Sequence, residues 1–156
     1  MSANTLESIK AFLKQRRLAL VGISHRERDF SRGVFRELQR RGYSVIPVNP
    51  NLSEVEGQRC FPHVQDIAPP VDAAVLMTSP AVTEEVVRDC KQAGVTQVWM
   101  HQGAGTGAAN PGASEFCRQH GIRVVEGECL FMFLPRTPLF HRLHGCVKKL
   151  MGKYPH

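Results

Sequence analysis

Gln39-Arg40-Arg41-Gly42 runs straight into Tyr43-Ser44-Val45-Ile46-Pro47-Val48, and this junction decides the fold. A polar, helix-forming stretch ends in glycine and a β-branched run follows at once. Glycine just past a helix end takes the left-handed conformation without a Cβ clash, and valine and isoleucine runs of this length suit buried strands. The same grammar returns at Lys91-Gln92-Ala93-Gly94 before Val95-Thr96-Gln97-Val98-Trp99-Met100, and at Arg118-Gln119-His120-Gly121 before Ile122-Arg123-Val124-Val125. Three helix-glycine-strand units argue for βαβ crossovers and a parallel sheet.

The helix starts agree. Ser79-Pro80 and Asn110-Pro111 read as an N-cap followed by proline in the first turn. Asn4, with Glu7 three residues on, reads as a capping box for a first helix over 5–16. Strands are expected at 18–23, 44–48, 71–77, 96–100 and 122–126, and further helices at 31–41, 80–93 and 111–120. The stretch 49–70 reads as a long connection with at most a short helix near 63–67. The expected architecture is α/β: a three-layer, Rossmann-like domain over 1–135 with a mostly parallel five-stranded sheet. A basic amphipathic helical tail over 136–156 is expected to pack on the domain or on a partner. Leu139, Phe140, Leu143, Val147, Leu150 and Met151 form its apolar stripe.

The chain has 156 residues, 42% apolar and 22% charged, the size and composition of one globular domain. No apolar run approaches the roughly 20 residues a bilayer requires, and residues 1–7 lack the features of a signal peptide. Five cysteines, with no Cys-x-x-Cys among them, argue against a disulfide framework and for a reducing, cytoplasmic setting. Charge is segregated: 1–45 carries net +6, 46–135 net −5 and 136–156 net +5. The basic ends lack interleaved aromatics and RNA-binding signatures, so no nucleic-acid partner is expected. His141 and His144 have helical i, i+3 spacing but no evident third ligand, so no metal is expected. A homodimer is compatible with the tail stripe.

In an open parallel sheet, ligands bind beyond the carboxyl ends of the strands. Those ends carry Gly22-Ile23-Ser24-His25, Asn49-Pro50-Asn51, Thr78-Ser79-Pro80, His101-Gln102-Gly103 and Gly127-Glu128-Cys129. Gly22 allows close backbone approach, and Ser24 is a donor. Ser31 is read as the cap of the following helix, whose N-terminal N–H groups suit an anion, with Arg26, Arg28 and Arg32 as counter-charges. The Gly-x-Gly-x-x-Gly fingerprint and an acid at the end of the second strand are both missing, which weighs against NAD; a Walker A sequence is also missing.

These residues resemble the small stand-alone CoA-binding proteins, whose domain is similar to the N-terminal Rossmann-like domain of the succinyl-CoA synthetase α-subunit. The likeness is carried by Leu20-Val21-Gly22-Ile23-Ser24 with Ser31, by 42–50 ending in Asn49-Pro50, and by Glu56-Gly57, Phe61-Pro62 and Asp66-Ile67. Val71-Asp72, 98–103 and Cys129 extend it, so that it covers roughly 15–135. The resemblance implies CoA or acyl-CoA as ligand. Gly22, Ile23, Ser24 and Ser31 would face the pyrophosphate, Asn49 and Pro50 would lie near the adenosine, and Thr78, Ser79, Gln102 and Gly103 would line the remainder. Relatives often carry a basic residue after Asn-Pro and Arg before the late cysteine; here these are Asn51 and Glu128. A binding, sensing or carrier role follows, since no catalytic constellation is identifiable. The alternative is a nucleotide-dependent enzyme or redox protein using Cys129 or His101.

Overall fold

The computed structural model describes residues 4–102 and 107–134. The expected C-terminal helix over 136–156, His141, His144 and Gly103 lie outside the described residues. Chain order is α1 (Leu6–Leu13), β1 (Arg17–Val21), α2 (Phe30–Arg40), β2 (Ser44–Val48), β3 (Glu54–Val55), β4 (Gln58–Arg59), β5 (Ala73–Leu76), α3 (Pro80–Gln92), β6 (Gln97–His101), α4 (Pro111–Gln119) and β7 (Arg123–Glu128). Five strands form one sheet in the order β2-β1-β5-β6-β7. All four pairings are parallel, so the sheet is wholly rather than mostly parallel.

Alternation along the strands divides the interior into two cores. Leu18, Leu20, Ala73, Val75 and Trp99 meet Ile9 and Phe12 of α1 and Val34, Phe35 and Leu38 of α2. Ala19, Val21, Ala74, Leu76, Val98 and Met100 meet Val86, Val87 and Cys90 of α3 and Ala113 and Cys117 of α4. Both faces of β1, β5 and β6 are therefore covered, which is why these strands read as unbroken apolar runs. Trp99 anchors the first core: its ring meets Phe12 edge-on at 5.4 Å, and its indole N–H donates to the Glu128 carbonyl at 2.9 Å.

The glycines at the three junctions, Gly42, Gly94 and Gly121, adopt φ of +86°, +79° and +69°. The cap of α1 differs from expectation. Thr5 caps α1 by accepting from the Ser8 N–H at 3.1 Å, and α1 ends at Leu13 rather than at 16. Asn4 instead reaches the far edge of the sheet. Its amide donates to the Glu126 carbonyl at 2.6 Å and accepts from the Glu126 N–H at 3.0 Å. The opposite edge, β2, contains Pro47, whose carbonyl accepts from the Phe61 N–H at 3.0 Å, while the Gln58 amide donates to the Val45 carbonyl at 2.7 Å.

The connection 49–72 holds more than the single short helix expected. A 3-10 turn spans Val64–Asp66, and β3 and β4 form a small antiparallel hairpin. Its turn residues, Glu56 and Gly57, both have positive φ (50° and 77°). Glu56 is held there by Arg32 at 3.3 Å and Arg36 at 2.5 Å, so the hairpin is pinned to α2.

Near the C-terminal end of α2, Arg40 and Arg41 each lie 2.7 Å from the Glu37 carboxylate. Arg40 first, then Arg41, holds that carboxyl down at about 2. A depressed folded-state value stabilises the protein above the ordinary carboxylate range, and the contribution disappears as pH falls toward 2. The pairs are partly solvated, so Glu37→Gln is expected to cost about 0.5–1 kcal/mol at pH 7. Urea titrations of both proteins at pH 7 and pH 2.5 measure this, with the difference shrinking at the lower pH.

Candidate functional site

Chain direction reverses between β1 and β5: α2 leads outward to β2, and α3 leads the other way to β6. Such a switch point opens a crevice at the carboxyl ends of the strands, and a cleft of about 370 Å³ lies there. Its floor is the meeting of two strand tips. The Met77 N–H donates to the Val21 carbonyl at 2.8 Å, and the Gly22 N–H donates to the Val48 carbonyl at 3.0 Å. A Cβ on Gly22 would stand 2.8 Å from the Met77 carbonyl oxygen, and Gly22 has φ +89°. Only glycine fits that approach.

The cleft is walled by side chains from three further segments. Asn49 fixes the end of β2: its amide donates to the Ile23 carbonyl at 2.7 Å and accepts from the Asn51 N–H at 2.8 Å. Pro50 is thereby set on the cleft wall. Thr78 shares a 2.7 Å hydrogen bond with Thr83, whose hydroxyl also lies 2.8 Å from the Ala108 carbonyl. Ser79 caps α3 through its backbone, and its side chain makes no capping bond. Val82, Glu85, Val86 and Asp89, spaced along one face of α3, complete the wall opposite Pro62 and Val64. The surface is thus mainly apolar with a few polar groups, the character of a small-molecule site.

Five of the residues singled out from sequence, Gly22, Asn49, Pro50, Thr78 and Ser79, line this one cleft. The neighbouring loop is organised differently from expectation. Asp29, not Ser31, caps α2; the Asp29 carboxylate accepts from the Ser31 N–H at 2.9 Å and from its hydroxyl at 2.6 Å. The Ser31 hydroxyl in turn accepts from the Ser24 N–H at 2.9 Å. The Ser31 hydroxyl bond, more than nearby Arg26 and His25, lowers the Asp29 carboxyl below its usual range. An acid therefore already sits at the N-terminus expected to await an anion. Ile23 is buried in the core beside Phe12 and Val34, leaving only its backbone at the loop. Arg26 and Arg28 are exposed on that loop and do not line the cleft.

Gln102 and Cys129 lie at the ends of β6 and β7, beyond the cleft. The Gln102 N–H donates to the Glu128 carbonyl at 3.1 Å, and Cys129 and His101 are 6% and 5% exposed. Burial raises the Cys60, Cys90 and Cys117 thiols, Cys117 to about 12, which disfavours the nucleophilic thiolate at these positions. Among the described residues, no cluster of three metal-ligating side chains occurs, and no helix is long and apolar enough to cross a membrane.

The face of α3 was not anticipated from sequence. Its lining residues follow i, i+3, i+4, i+7 spacing, the signal for a packing stripe, and the two carboxylates in it are the only cue to a solvated wall. Asp29, two residues ahead of Ser31, carries the same capping chemistry in the sequence.

Known proteins share this fold. The model of a family described as CoA binding domain matches residues 16–135. YneT, an uncharacterized protein of Bacillus subtilis, is 27% identical over 123 residues, 78% of this chain and 88% of its own length. The ADP-forming acetate–CoA ligase II of Archaeoglobus fulgidus is 23% identical over 128 residues, which are 77% of this chain but only 19% of the ligase. A hypothetical protein from Pyrococcus horikoshii OT3 superposes with a TM-score of 0.76 at 30% identity, over 83% of this chain and 89% of that one. The chain therefore belongs to the CoA binding domain family.

Proposed function

We propose that this protein binds coenzyme A or an acyl-CoA in the cleft at the β1/β5 switch point, as a binding, sensing or carrier protein. The adenine lies between Pro50, Val64 and Val82, and the pyrophosphate lies at the loop between Gly22 and Ser31. The observation that carries this reading is the cleft itself: an apolar slot floored by an obligatory glycine, in a chain of the CoA binding domain family. At about 370 Å³ the slot suits the nucleoside end of CoA, so the pantetheine extends outside it. Arg26 and Arg28 supply positive charge to the pyrophosphate side. The buried thiols Cys60, Cys90 and Cys117 support a reducing, cytoplasmic setting.

Calorimetric titration of the reduced protein with CoA tests this directly. Val82 is exposed on α3, and valine and asparagine have similar helix propensity. Val82→Asn should therefore leave the melting temperature within about 2 °C and weaken CoA about tenfold by placing an amide against the base. No heat with CoA, or equal affinity in the variant, rejects the assignment.

Asp29 supplies a second test. Asparagine caps a helix as well as aspartate does, so Asp29→Asn should keep α2 intact while removing a negative charge beside the pyrophosphate. CoA affinity should rise about three- to tenfold. A fall in affinity would place the pyrophosphate elsewhere.

A further inference from the structure

At the edge of the sheet opposite the cleft, a groove of about 480 Å³ opens between α1 and the first residues of β6 and β7. Lys10 and Lys14 stand one helical turn apart on its lining, and Arg123 joins them from the start of β7. All three are exposed. Among the described residues they make no ion pair and no side-chain hydrogen bond. Arg32, Arg36, Arg40, Arg41 and Arg118, by contrast, each meet a carboxylate. Glu7 also lines the groove, so three cations stand against one acid. Arg17 and Asp72, at the starts of the next strands, cancel in charge.

The floor of the groove is a buried amide. Gln97 shares with Trp99 the face of β6 on which Phe12 of α1 packs. It is 4% exposed and lines the groove. Its backbone N–H donates to the Asp72 carbonyl at 3.2 Å, but its carboxamide has no hydrogen-bond partner among the described residues. A buried amide without a partner destabilises a fold; beneath three unpaired cations it is a donor held ready for an anion. We propose that this groove is a second ligand site, for a small oligophosphate of the pyrophosphate class. Arg123 supplies a planar fork that matches phosphate oxygens, Lys10 and Lys14 supply point charges, and the Gln97 amide donates from below. Cations on two sides of a groove this large suit an anion of more than one phosphate. The site lies at the amino ends of the strands, so it is separate from the proposed CoA cleft and does not rest on it.

The test is calorimetric titration of the wild type and of the Lys10→Gln/Lys14→Gln double variant with inorganic pyrophosphate, inorganic phosphate and CoA, at pH 8 and low salt. The wild type should bind pyrophosphate about tenfold more tightly than phosphate, with CoA present or absent, and more weakly as salt is raised. The double variant, altered only at exposed positions, should lose about tenfold or more in pyrophosphate affinity and keep its CoA affinity within about twofold. Gln97→Leu removes an unpaired buried amide, so it should hold or raise the melting temperature while weakening pyrophosphate about three- to tenfold. A structural glutamine would do the reverse, lowering the melting temperature and leaving the anion unaffected. Where Gln97→Leu fails to fold, the lysine variant decides. No pyrophosphate binding by the wild type, or equal binding by the lysine variant, overturns the proposal and leaves the CoA assignment standing. Displacement of pyrophosphate by CoA, or a fall in CoA affinity in the lysine variant, also overturns it, because the two sites are then one.

Discussion

The tip of β1 lies so close to the tip of β5 that no side chain fits between them, and the rest of the site follows from this. β1 is bonded on both sides: Val21 receives the Met77 N–H from β5, and Gly22 gives its own N–H to Val48 of β2. The central strand stays in register up to the residue where the chain must turn away. A Cβ at Gly22 would meet the Met77 carbonyl at 2.8 Å. Relieving that contact would part β1 from β5, and with them the two loops that bound the cleft. The glycine thus joins the sheet ladder, a tertiary feature, to the floor of a ligand site.

Much of the fold was legible because each signal was local and had one physical meaning. A glycine between a polar helical stretch and a β-branched run ends a helix, and Gly42, Gly94 and Gly121 all take the left-handed conformation there. The apolar runs 18–21 and 73–76 had to be buried on both faces, which requires helices above and below. Legibility failed where two neighbouring residues offered the same chemistry. Asn4 and Thr5 are both capping types, as are Asp29 and Ser31, and tertiary geometry chose between them. Asn4 was taken up by Glu126, while Ser31 was taken up as a link between Asp29 and Ser24. The hairpin at 54–59 has too short a pattern to read, and its turn depends on arginines from α2.

The candidate site divides along the same line. Residues at strand ends could be named in advance, because a parallel sheet places all its carboxyl ends on one edge. Gly22, Asn49, Pro50, Thr78 and Ser79 meet for that reason. The α3 wall could not be named, because the spacing of Val82, Glu85, Val86 and Asp89 is the same for a stripe that packs and for one that lines a cleft. Gln102 and Cys129 were read from the same edge, but the sheet is five strands wide and the cleft occupies only its switch point.

Among the described residues, a side-chain amide meets each margin of the sheet, and the Phe61 backbone joins it along β2. Asn4 presents its carboxamide to Glu126 as a peptide unit would, giving and taking one hydrogen bond each. Gln58 and the Phe61 backbone do the same work along β2, where Pro47 already lacks an N–H. Open β margins are where chains template one another. At these positions the polar groups are already engaged, so a neighbouring molecule cannot extend the sheet there without displacing them.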